Sequence, residues 1–450
     1  MQHQTRIRWR VLALLFLVNV VSFVDRLNIT VASKPMSAQL GLSDLQFGTI
    51  FSAFVLGYAL CQIPAGWLGD RFGHRNVLAA TLLFWSLFTA LTPLAGTGSW
   101  AAVIGVVPSL WLVRLLVGVG EAAALPCSNA LVGKWFPPQE RGRGTGATFA
   151  GIGVGAAVTP PFVAWLMVTF GWQVSFYACA IVGVVLSAAL LAYVTEEPRY
   201  HARISRAELE HIAAAGQSGA GAHSVSIPHS KTPWKRILGH RQLWVLFVSY
   251  TCGGYTLFMF FSWYFRYLTD GRSLSPLDAS FFAIFPFLAM VASAPLGGWM
   301  VDRLAPRLGK TRARRTVILA GMLPCLPLLF AGTTVADNTL AVICLALAFG
   351  LITMPASCYW TTAIELLPAH AGTTAAIMNM GTTLAGVISP TLTPWIKDIY
   401  GWPAAWSVAG LFSMIAGLLW IFIRLDGTSV ADELRRSAAK VGTPEVSTKN

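Results

Sequence analysis

Long apolar runs alternate with short polar segments along nearly the whole chain. Each run has about the 20 residues that an α-helix needs to cross the hydrocarbon core of a bilayer. Twelve runs can be marked, at residues 11–33, 47–69, 76–96, 101–126, 144–168, 172–194, 242–268, 279–301, 315–335, 339–363, 372–396 and 403–424. The pattern predicts an all-α integral membrane protein with twelve transmembrane helices.

The longest polar stretch, residues 195–241, separates the sixth run from the seventh. Its middle consists of Gly, Ser, Ala and Gln, which is typical of flexible linkers, and residues 206–210 before it are interpreted as a short surface helix. We therefore predict an N-terminal six-helix bundle (1–194), a cytoplasmic linker (195–241) and a C-terminal six-helix bundle with a cytoplasmic tail (242–450).

Two short motifs recur at nearly constant spacing in the two halves. GWLGDR at 66–71 follows the second run, and GWMVDR at 298–303 follows the eighth run 232 residues later. FGW at 170–172 opens the sixth run, and YGW at 400–402 opens the twelfth run 230 residues later. Such repeats indicate two six-helix bundles related by pseudo-symmetry.

The charge distribution indicates how the chain lies in the membrane. Only 11% of the residues are charged, whereas a soluble globular protein carries about 25%, so a soluble enzyme is disfavoured. With both termini and the linker in the cytoplasm, 26 of the 32 Lys and Arg residues lie on that side and four on the other. This asymmetry follows the positive-inside rule and explains the net charge of +13 without a nucleic-acid partner. The predicted location is the plasma (inner) membrane.

The seven cysteines all fall inside apolar runs, and no C-x-x-C spacing occurs. They are interpreted as small buried apolar residues, without a disulfide framework or a metal site. No ATPase motif is present, and no cofactor is predicted.

Four charged side chains lie inside the predicted helices and away from their ends: Asp25, Arg26, Arg114 and Glu121. Each costs at least about 2.5–3.5 kcal/mol at the membrane centre, so such residues usually serve a function. The second half carries Leu, Phe, Cys and Leu at the repeat-related positions, so the fold itself does not require the charges. The alternative is a pair of purely structural ion pairs.

These charges suggest that an anion and a proton bind together. Two acids and two arginines sum to zero, one bound carboxylate makes the site −1, and one proton restores neutrality. An uncompensated buried charge costs several kcal/mol, so the two ligands should be coupled. Arg26, with its guanidinium fork, is assigned as the main carboxylate ligand. Asp25 and Glu121 are assigned as proton carriers, and Arg114 as the partner that biases Glu121.

The segment 66–75, GWLGDRFGHR, resembles the loop motif of the major facilitator superfamily, and the resemblance covers the whole chain. With Asp25-Arg26 and the Arg114-x6-Glu121 spacing, the chain looks like the anion:cation symporter family, which includes bacterial hexuronate and other sugar-acid transporters. The resemblance implies the major facilitator fold, alternating access and the same roles for the four charges. It also implies a cytoplasmic gate formed by Asp70, Arg71, Gly73 and Arg75.

Further substrate contacts are predicted on the second, tenth and eleventh helices. Tyr58 and Gln62 are four residues apart and can reach one cavity, and Thr361 lies on a polar stripe of the tenth helix. Similarity to sugar-acid members implies ligand contacts at Tyr58, Trp360 and Asn379. Ordinary helix packing is the alternative for each of these side chains.

We predict a monomeric secondary active transporter in the lipid bilayer that takes up an organic anion, a sugar acid or another small carboxylate, with protons. Phe23 and Gly151, where sugar-acid members tend to be more polar, favour a less hydroxylated acid, either aromatic or short-chain. The alternatives are a proton-coupled exporter of drugs or organic cations, which the paired arginines disfavour, and a sodium-coupled anion transporter. A non-transporting sensor or membrane enzyme finds no support in an appended domain or a catalytic constellation.

Overall fold

A computed structural model describes residues 5–137, 140–217, 234–367 and 371–423. The middle of the predicted linker and the predicted cytoplasmic tail from residue 424 onward lie outside these residues. The described chain is almost entirely helical.

Eleven helical spans of the described residues are long and apolar enough to cross a membrane, and a break at Gly401 (φ 80°, ψ 173°) divides the last one into two. The spans are α1 (Ile7–Val31), α2 (Asp44–Phe72), α3 (His74–Thr97), α4 (Val106–Trp135), α5 (Arg141–Phe170), α6 (Trp172–Tyr193), α7 (Arg241–Gly271), α8 (Pro276–Leu308), α9 (Lys310–Thr334), α10 (Asn338–Leu366), α11 (373–400) and α12 (402–422). The prediction of twelve membrane helices is confirmed.

Five of the spans contain a local break. Their segments are Val106–Glu121 and Ala124–Trp135 in α4, Arg241–Arg266 and Tyr267–Gly271 in α7, Pro276–Phe282 and Ile284–Leu308 in α8, Lys310–Met322 and Cys325–Thr334 in α9, and Asn338–Thr353 and Ala356–Leu366 in α10. Shorter helices flank the spans at Ser33–Leu40, Ser99–Ile104, Arg206–Gln217 and Trp234–Leu238.

The predicted fourth run, 101–126, differs from α4 at both ends. The helix starts only after Gly105, whose φ of 90° favours glycine, and it continues to Trp135. Asn129 and Lys134 lower the hydropathy of the last turns, but both side chains are paired. Thr148 donates to the Asn129 side chain at 3.0 Å, and Lys134 donates to Glu196 at 2.5 Å.

The two halves repeat the same backbone breaks. Gly73 (φ 89°) separates α2 from α3, and Gly309 (φ 79°) separates α8 from α9. Gly171 (φ 90°) precedes α6 as Gly401 precedes α12. A side chain is strained at such φ values, so these glycines permit the sharp turns that let consecutive helices pack antiparallel. Their recurrence supports the pseudo-symmetry that the sequence motifs predict.

Helices pack mainly within each half. In the N half, α1 packs on α5, α4 on α2 and α3, and α3 on α6. In the C half, α7 packs on α11 and α12, and α8 packs on α10. Helix α9 packs on α10 and on the continuous helical segment that comprises α11 and α12. The two halves meet through α2 with α11 and through α5 with α8. The site described below lies in the N half, where α1, α2 and α4 face one another.

Ion pairs join the halves on the far side, which is the side where α1 ends and α2 begins. Asp44 accepts from both Arg266 and Lys397 of the C half. Lys34 contacts Asp270 at 2.7 Å, and Arg266 also contacts Asp270 at 3.1 Å. We call these five residues the Asp44 clamp. Every one of its links except Arg266–Asp270 crosses between the halves, so the Asp44 clamp joins the two halves on the far side.

Backbone packing continues the closure just inside the Asp44 clamp. The Ser52 hydroxyl donates to the Val387 carbonyl of α11 at 2.7 Å. At Gly48, an added Cβ would lie 2.1 Å from the Pro390 carbonyl oxygen, so α2 and α11 approach too closely there for any side chain. On the far side, the two halves therefore meet through close backbone contact between α2 and α11 as well as through the ion pairs of the Asp44 clamp.

We expect Asp44→Asn to open the far side more often. The change leaves Arg266 and Lys397 without the carboxylate that both contact. Loss of about 1 kcal/mol shifts a two-state equilibrium about fivefold. Labelling of Cys introduced at Ser52 by an impermeant maleimide should accelerate by about that factor. Asp278→Asn is the matched control, because Asp278 pairs locally with Ser275. An unchanged labelling rate in Asp44→Asn would contradict a gating role for the clamp.

The start of the linker is bound to the start of α1. Helix Arg206–Gln217 confirms the short helix expected near 206–210, but Glu208 is fully buried rather than on the surface. Its carboxylate accepts from the Thr5 hydroxyl at 2.6 Å and from the backbone N–H groups of Ile7 and Arg8 at 3.1 and 3.2 Å. The first N–H groups of a helix lack intrahelical partners, so Glu208 caps α1 from a distant part of the chain.

We expect Glu208→Ala to lower the free energy of unfolding by about 3 kcal/mol, because it leaves buried donors without their acceptor and removes one of the two carboxylates, Glu208 and Glu140, that the Arg8 guanidinium contacts. The thermal unfolding midpoint in detergent measures the effect. Glu210→Ala on the same helix is the control, since the Glu210 side chain is 68% exposed and, within the described residues, pairs with Arg206 one turn away. Equal midpoints for the two variants would show that the cap contributes nothing.

Candidate functional site

The centre of the site is an ion pair between α1 and α4. Arg26 Nη2 lies 3.2 Å from Glu121 Oε2, and the Ser22 hydroxyl donates to the same oxygen at 3.1 Å. Glu121 is fully buried, and the Arg26 side chain is 14% exposed. Ser22 and Arg26 are one helical turn apart on α1, and both side chains face α4 here. The structure thus joins two of the four charges found in the sequence.

Three aromatic rings surround the Arg26 guanidinium. Its carbon Cζ lies 4.6 Å from the ring centroid of Phe23, 5.0 Å from that of Phe54 and 4.9 Å from that of Tyr58. We call Phe23, Phe54 and Tyr58 the aromatic box. Rings at these distances stabilise a cation through their negative faces and exclude water from it. Tyr58, a predicted substrate contact, is therefore placed beside Arg26.

Arg114 lies behind the aromatic box. Its Cζ is 5.1 Å from the Phe54 ring, and its side chain is fully buried. Within the described residues, none of its three guanidinium nitrogens has a hydrogen-bond partner. Buried donors of an ionised group are costly when they stay unpaired, so the Arg114 guanidinium has unused capacity for hydrogen bonds to an acceptor.

Asp25 points away from Arg26, towards α3. The indole Nε1 of Trp85 donates to Asp25 Oδ2 at 3.0 Å, and both side chains are fully buried. This agrees with the offset of about 100° between neighbouring residues of a helix. Another polar pair links α1 to α6, where the Ser175 hydroxyl donates to the Asn28 side chain at 2.7 Å. The two acids therefore lie at different faces of α1. Asp25 of α1 faces α3, and Glu121 of α4 lies beside Arg26.

The remaining predicted contacts lie on α2, α10 and α11. Gln62 and Asn379 are half-buried, and Trp360 and Thr361 are exposed. The Thr361 hydroxyl donates to the Ser357 carbonyl of its own helix at 2.7 Å, so it is already used. Among the described residues, no hydrogen bond links these four side chains to Arg26. Their role in binding stays a prediction.

Comparison with known proteins places this site in a family. The sequence profile of the major facilitator superfamily matches residues 15–390. The chain belongs to the major facilitator superfamily. Its members are transporters, so this superfamily protein is a transporter and not an enzyme.

The relatives within the superfamily include transporters of organic anions. A probable sulfoacetate transporter of Cupriavidus necator is 30% identical over 94% of this chain and 95% of its own length. A D-galactonate transporter of Escherichia coli is 30% identical over 93% of this chain and 96% of its own. These names confirm the resemblance to the anion:cation symporter family.

Solved structures of the superfamily share the fold. A bacterial homologue of the human lysosomal transporter Spinster has a TM-score of 0.72 at 17% identity and covers 93% of this chain and 97% of its own. The xylose transporter of Escherichia coli has a TM-score of 0.69 at 18% identity and covers 93% and 96%.

The superfamily loop motif lies between α2 and α3, on the side opposite the Asp44 clamp. The Asp70 side chain is 79% exposed and contacts His74 Nε2 at 3.3 Å. Arg71 lies over the rings of Trp67 and Phe72, its own helical neighbours. Gly73 supplies the break before α3. In the described part of the chain, the ion pair of Asp70 and the ring contacts of Arg71 lie within the N half. The gating role of these two residues stays a prediction.

Arg75 of the motif is bound to the end of α6. Its guanidinium donates to the Leu191 carbonyl, and its backbone N–H donates to Glu196 at 2.9 Å. The C half repeats this arrangement, because Arg315 of α9 donates to the Trp420 and Ile423 carbonyls at the end of α12. Arg75 therefore fixes the packing of the loop motif within one half.

Glu196 is a partner that sequence reasoning missed. It accepts from the Lys134 side chain at 2.5 Å and from the backbone N–H groups of His74 and Arg75, each at 2.9 Å. Burial opposes the charge on this carboxylate, but the bonds from Lys134 and the two N–H groups outweigh it and lower the pKa of Glu196 to about 2. Glu196 therefore stays ionised at physiological pH and holds the ends of α3, α4 and α6 together.

Trp85 and Phe54 were also missed, because neither carries a charge. Each was one aromatic residue among many in the apolar runs. A Trp inside a membrane helix needs an acceptor for its indole N–H, and the intramembrane Asp25 was the acceptor to look for.

Proposed function

We propose that the protein takes up an organic anion together with protons by alternating access. The observation that carries this proposal is the fully buried guanidinium of Arg114, which has no hydrogen-bond partner among the described residues and lies one aromatic ring, that of Phe54, away from Arg26. A bound carboxylate would supply acceptors to this pair of cations. The names of the relatives, which include sulfoacetate and galactonate transporters, support the same class of substrate.

The Arg26–Glu121 pair supplies the coupling. Glu121 occupies Arg26 at 3.2 Å, so an incoming carboxylate competes with it for the same guanidinium. Protonation of Glu121 removes its charge and frees Arg26 for the substrate. Loss of the proton restores the internal pair and weakens substrate binding. In this scheme the proton and the anion favour each other because they act on one guanidinium.

Asp25 is the second proton site of the proposal. Its carboxylate is buried against Trp85 and has one oxygen without a hydrogen-bond partner among the described residues. Moving one anion inward against about 100 mV costs about 2.3 kcal/mol, and one proton cancels this cost. A second proton on Asp25 would make uptake electrically driven.

Alternating access needs one closed side at a time. The Asp44 clamp and the contact at Gly48 close the far side. On the opposite side, Asp70 and Arg71 form no ion pair or hydrogen bond with the C half within the described residues. This is the arrangement expected of a conformation that opens towards the cytoplasm.

The test is uptake into proteoliposomes that contain the purified protein. The probes are D-galactonate, D-glucuronate, sulfoacetate and benzoate, each offered with an inward proton gradient, an inward sodium gradient or neither. We expect a proton gradient to drive accumulation of at least one acid, and a protonophore to abolish it. Accumulation driven only by a sodium gradient would show that sodium, and not the proton, is the coupling ion. Transport of organic cations without any acid would overturn the proposal in favour of an exporter.

A further inference from the structure

Within the proposed function, we infer that the substrate is a carboxylate with an apolar or aromatic body and not a polyhydroxylated sugar acid. The inference rests on the walls around Arg26, which are built of rings and hold few free hydrogen-bonding groups. It concerns the part of the substrate that the arginines do not bind.

The N half supplies the first wall. Phe23, Phe54 and Tyr58 lie within 5.0 Å of the Arg26 Cζ atom, and Phe23 and Phe54 carry no polar atom on their side chains. A carboxylate that reaches Arg26 therefore places its first carbons against rings. Hydroxyl groups on these carbons would meet aromatic faces in place of water.

The C half supplies a second wall that meets the first. The rings of Phe23 and Phe261 are 5.9 Å apart in an edge-to-face arrangement across the interface between the halves. Phe261 continues to Phe258 at 5.9 Å and stacks on Phe287 at 6.0 Å. A continuous aromatic surface thus runs from Arg26 into the C half.

A small cavity lies along this surface. Its lining includes Leu27 of α1 and Phe260, Phe261 and Phe287 of the C half. Thr30 also lines it, but the Thr30 hydroxyl donates to the Leu27 carbonyl at 2.7 Å and is not free. Tyr264 also lines the cavity, and its hydroxyl has no hydrogen-bond partner within the described residues.

Four polar side chains of α7 and α11, those of Tyr255, Ser262, Ser389 and Thr393, are already bonded inside the C half. The Tyr255 hydroxyl bonds to Thr393 at 3.1 Å, and the Ser389 hydroxyl donates to the Tyr255 carbonyl at 2.9 Å. The Ser262 hydroxyl donates to the Phe258 carbonyl at 2.6 Å. These groups would have to break internal bonds before they could bind a sugar.

The affinity for a hydroxylated acid depends on whether its hydroxyl groups find hydrogen-bond partners in the site. Each substrate hydroxyl that loses water and finds no partner lowers affinity by roughly 5- to 150-fold. A ring buried against rings gains affinity from apolar area and from edge-to-face contact. The two effects act in the same direction, so an apolar acid should bind far more tightly than a sugar acid of the same ring size.

The experiment compares two acids of matched size. D-glucuronate and cyclohexanecarboxylate both carry one carboxylate on a six-membered ring, but only glucuronate carries hydroxyls; benzoate is the aromatic member of the set. Binding to the purified full chain is measured by calorimetry at pH 5.5. We expect benzoate and cyclohexanecarboxylate to bind at least about tenfold more tightly than glucuronate.

Equal or tighter binding of glucuronate would overturn the inference and leave the proposed function intact. Failure of all acids, including D-galactonate and sulfoacetate, to bind the folded protein would overturn the proposed function and the inference with it.

Variants of Phe23 locate the source of the preference. Phe23→Asn introduces hydrogen-bonding groups into the first wall and should reduce the benzoate-to-glucuronate ratio by about tenfold. Phe23→Leu is the matched control, because it removes the ring and keeps the wall apolar, so glucuronate should stay the weaker ligand. An unchanged ratio in folded Phe23→Asn would overturn the assignment of the aromatic wall as the determinant.

Discussion

Arg26→Ala is expected to abolish measurable substrate binding while the protein still folds. A charge-assisted bond to a carboxylate contributes up to about 3 kcal/mol, which corresponds to about 150-fold in affinity. In the variant, Glu121 also loses the guanidinium that lies 3.2 Å from its carboxylate. Arg26→Lys keeps the positive charge but loses the fork and the planar contact with the aromatic box. We therefore expect it to bind with intermediate affinity.

Binding to purified variants by calorimetry measures this effect, with the thermal unfolding midpoint as the test of folding. Arg206→Ala is the matched control, because the Arg206 side chain is 84% exposed and, among the described residues, pairs with Glu210. Wild-type affinity in Arg26→Ala would remove Arg26 from the binding site.

Neutral substitutes for the two acids are expected to separate substrate exchange from proton-driven uptake. Glu121→Gln and Asp25→Asn resemble the protonated carboxyl groups and keep an oxygen for Ser22 and Trp85 to donate to. Each variant should still exchange labelled for unlabelled substrate, because exchange moves no net proton. Accumulation driven by a pH gradient should fall in each single variant, since the carrier of one of the two protons is missing, and should collapse in the double variant.

The pH dependence of binding gives an independent measurement. In the wild type, binding should weaken as pH rises, because deprotonated Glu121 competes for Arg26. In the double variant, affinity should stay constant over the same pH range. Retained pH-driven accumulation in the double variant would show that the proton travels through other groups. Loss of all binding in Glu121→Gln would favour the organic-cation exporter.

The charged part of the site was predictable because of its cost. An arginine or an acid inside an apolar helix stands out, and helical periodicity places Ser22 and Arg26 on one face. The pairing of Arg26 with Glu121 was not predicted: the sequence indicates Arg114 as the partner of Glu121, whereas in the structure Glu121 contacts Arg26 at 3.2 Å. The number of helices was predictable for a related reason, since bilayer thickness sets the length of each apolar run.

Contacts between the halves were not predictable from local patterns. Asp44, Arg266 and Lys397 lie at helix ends, where charged residues are ordinary and face water in many proteins. Only the packing of α2 against α11 brings them together. The same holds for Phe23 and Phe261, whose contact depends on how the two bundles dock. Sequence reasoning gave the N-half charges but not the walls that select the substrate.

The cap on α1 has a consequence for the order of events during synthesis. Glu208 follows Arg8 by 200 residues, yet its carboxylate binds the first N–H groups of α1. A ribosome that adds about 5–20 residues per second needs about 10–40 s to cover that distance. The first helix is therefore in place, with its leading N–H groups bonded to water, while five more helices are being made. Its cap closes only when the N half is complete, which makes the contact a marker of finished assembly.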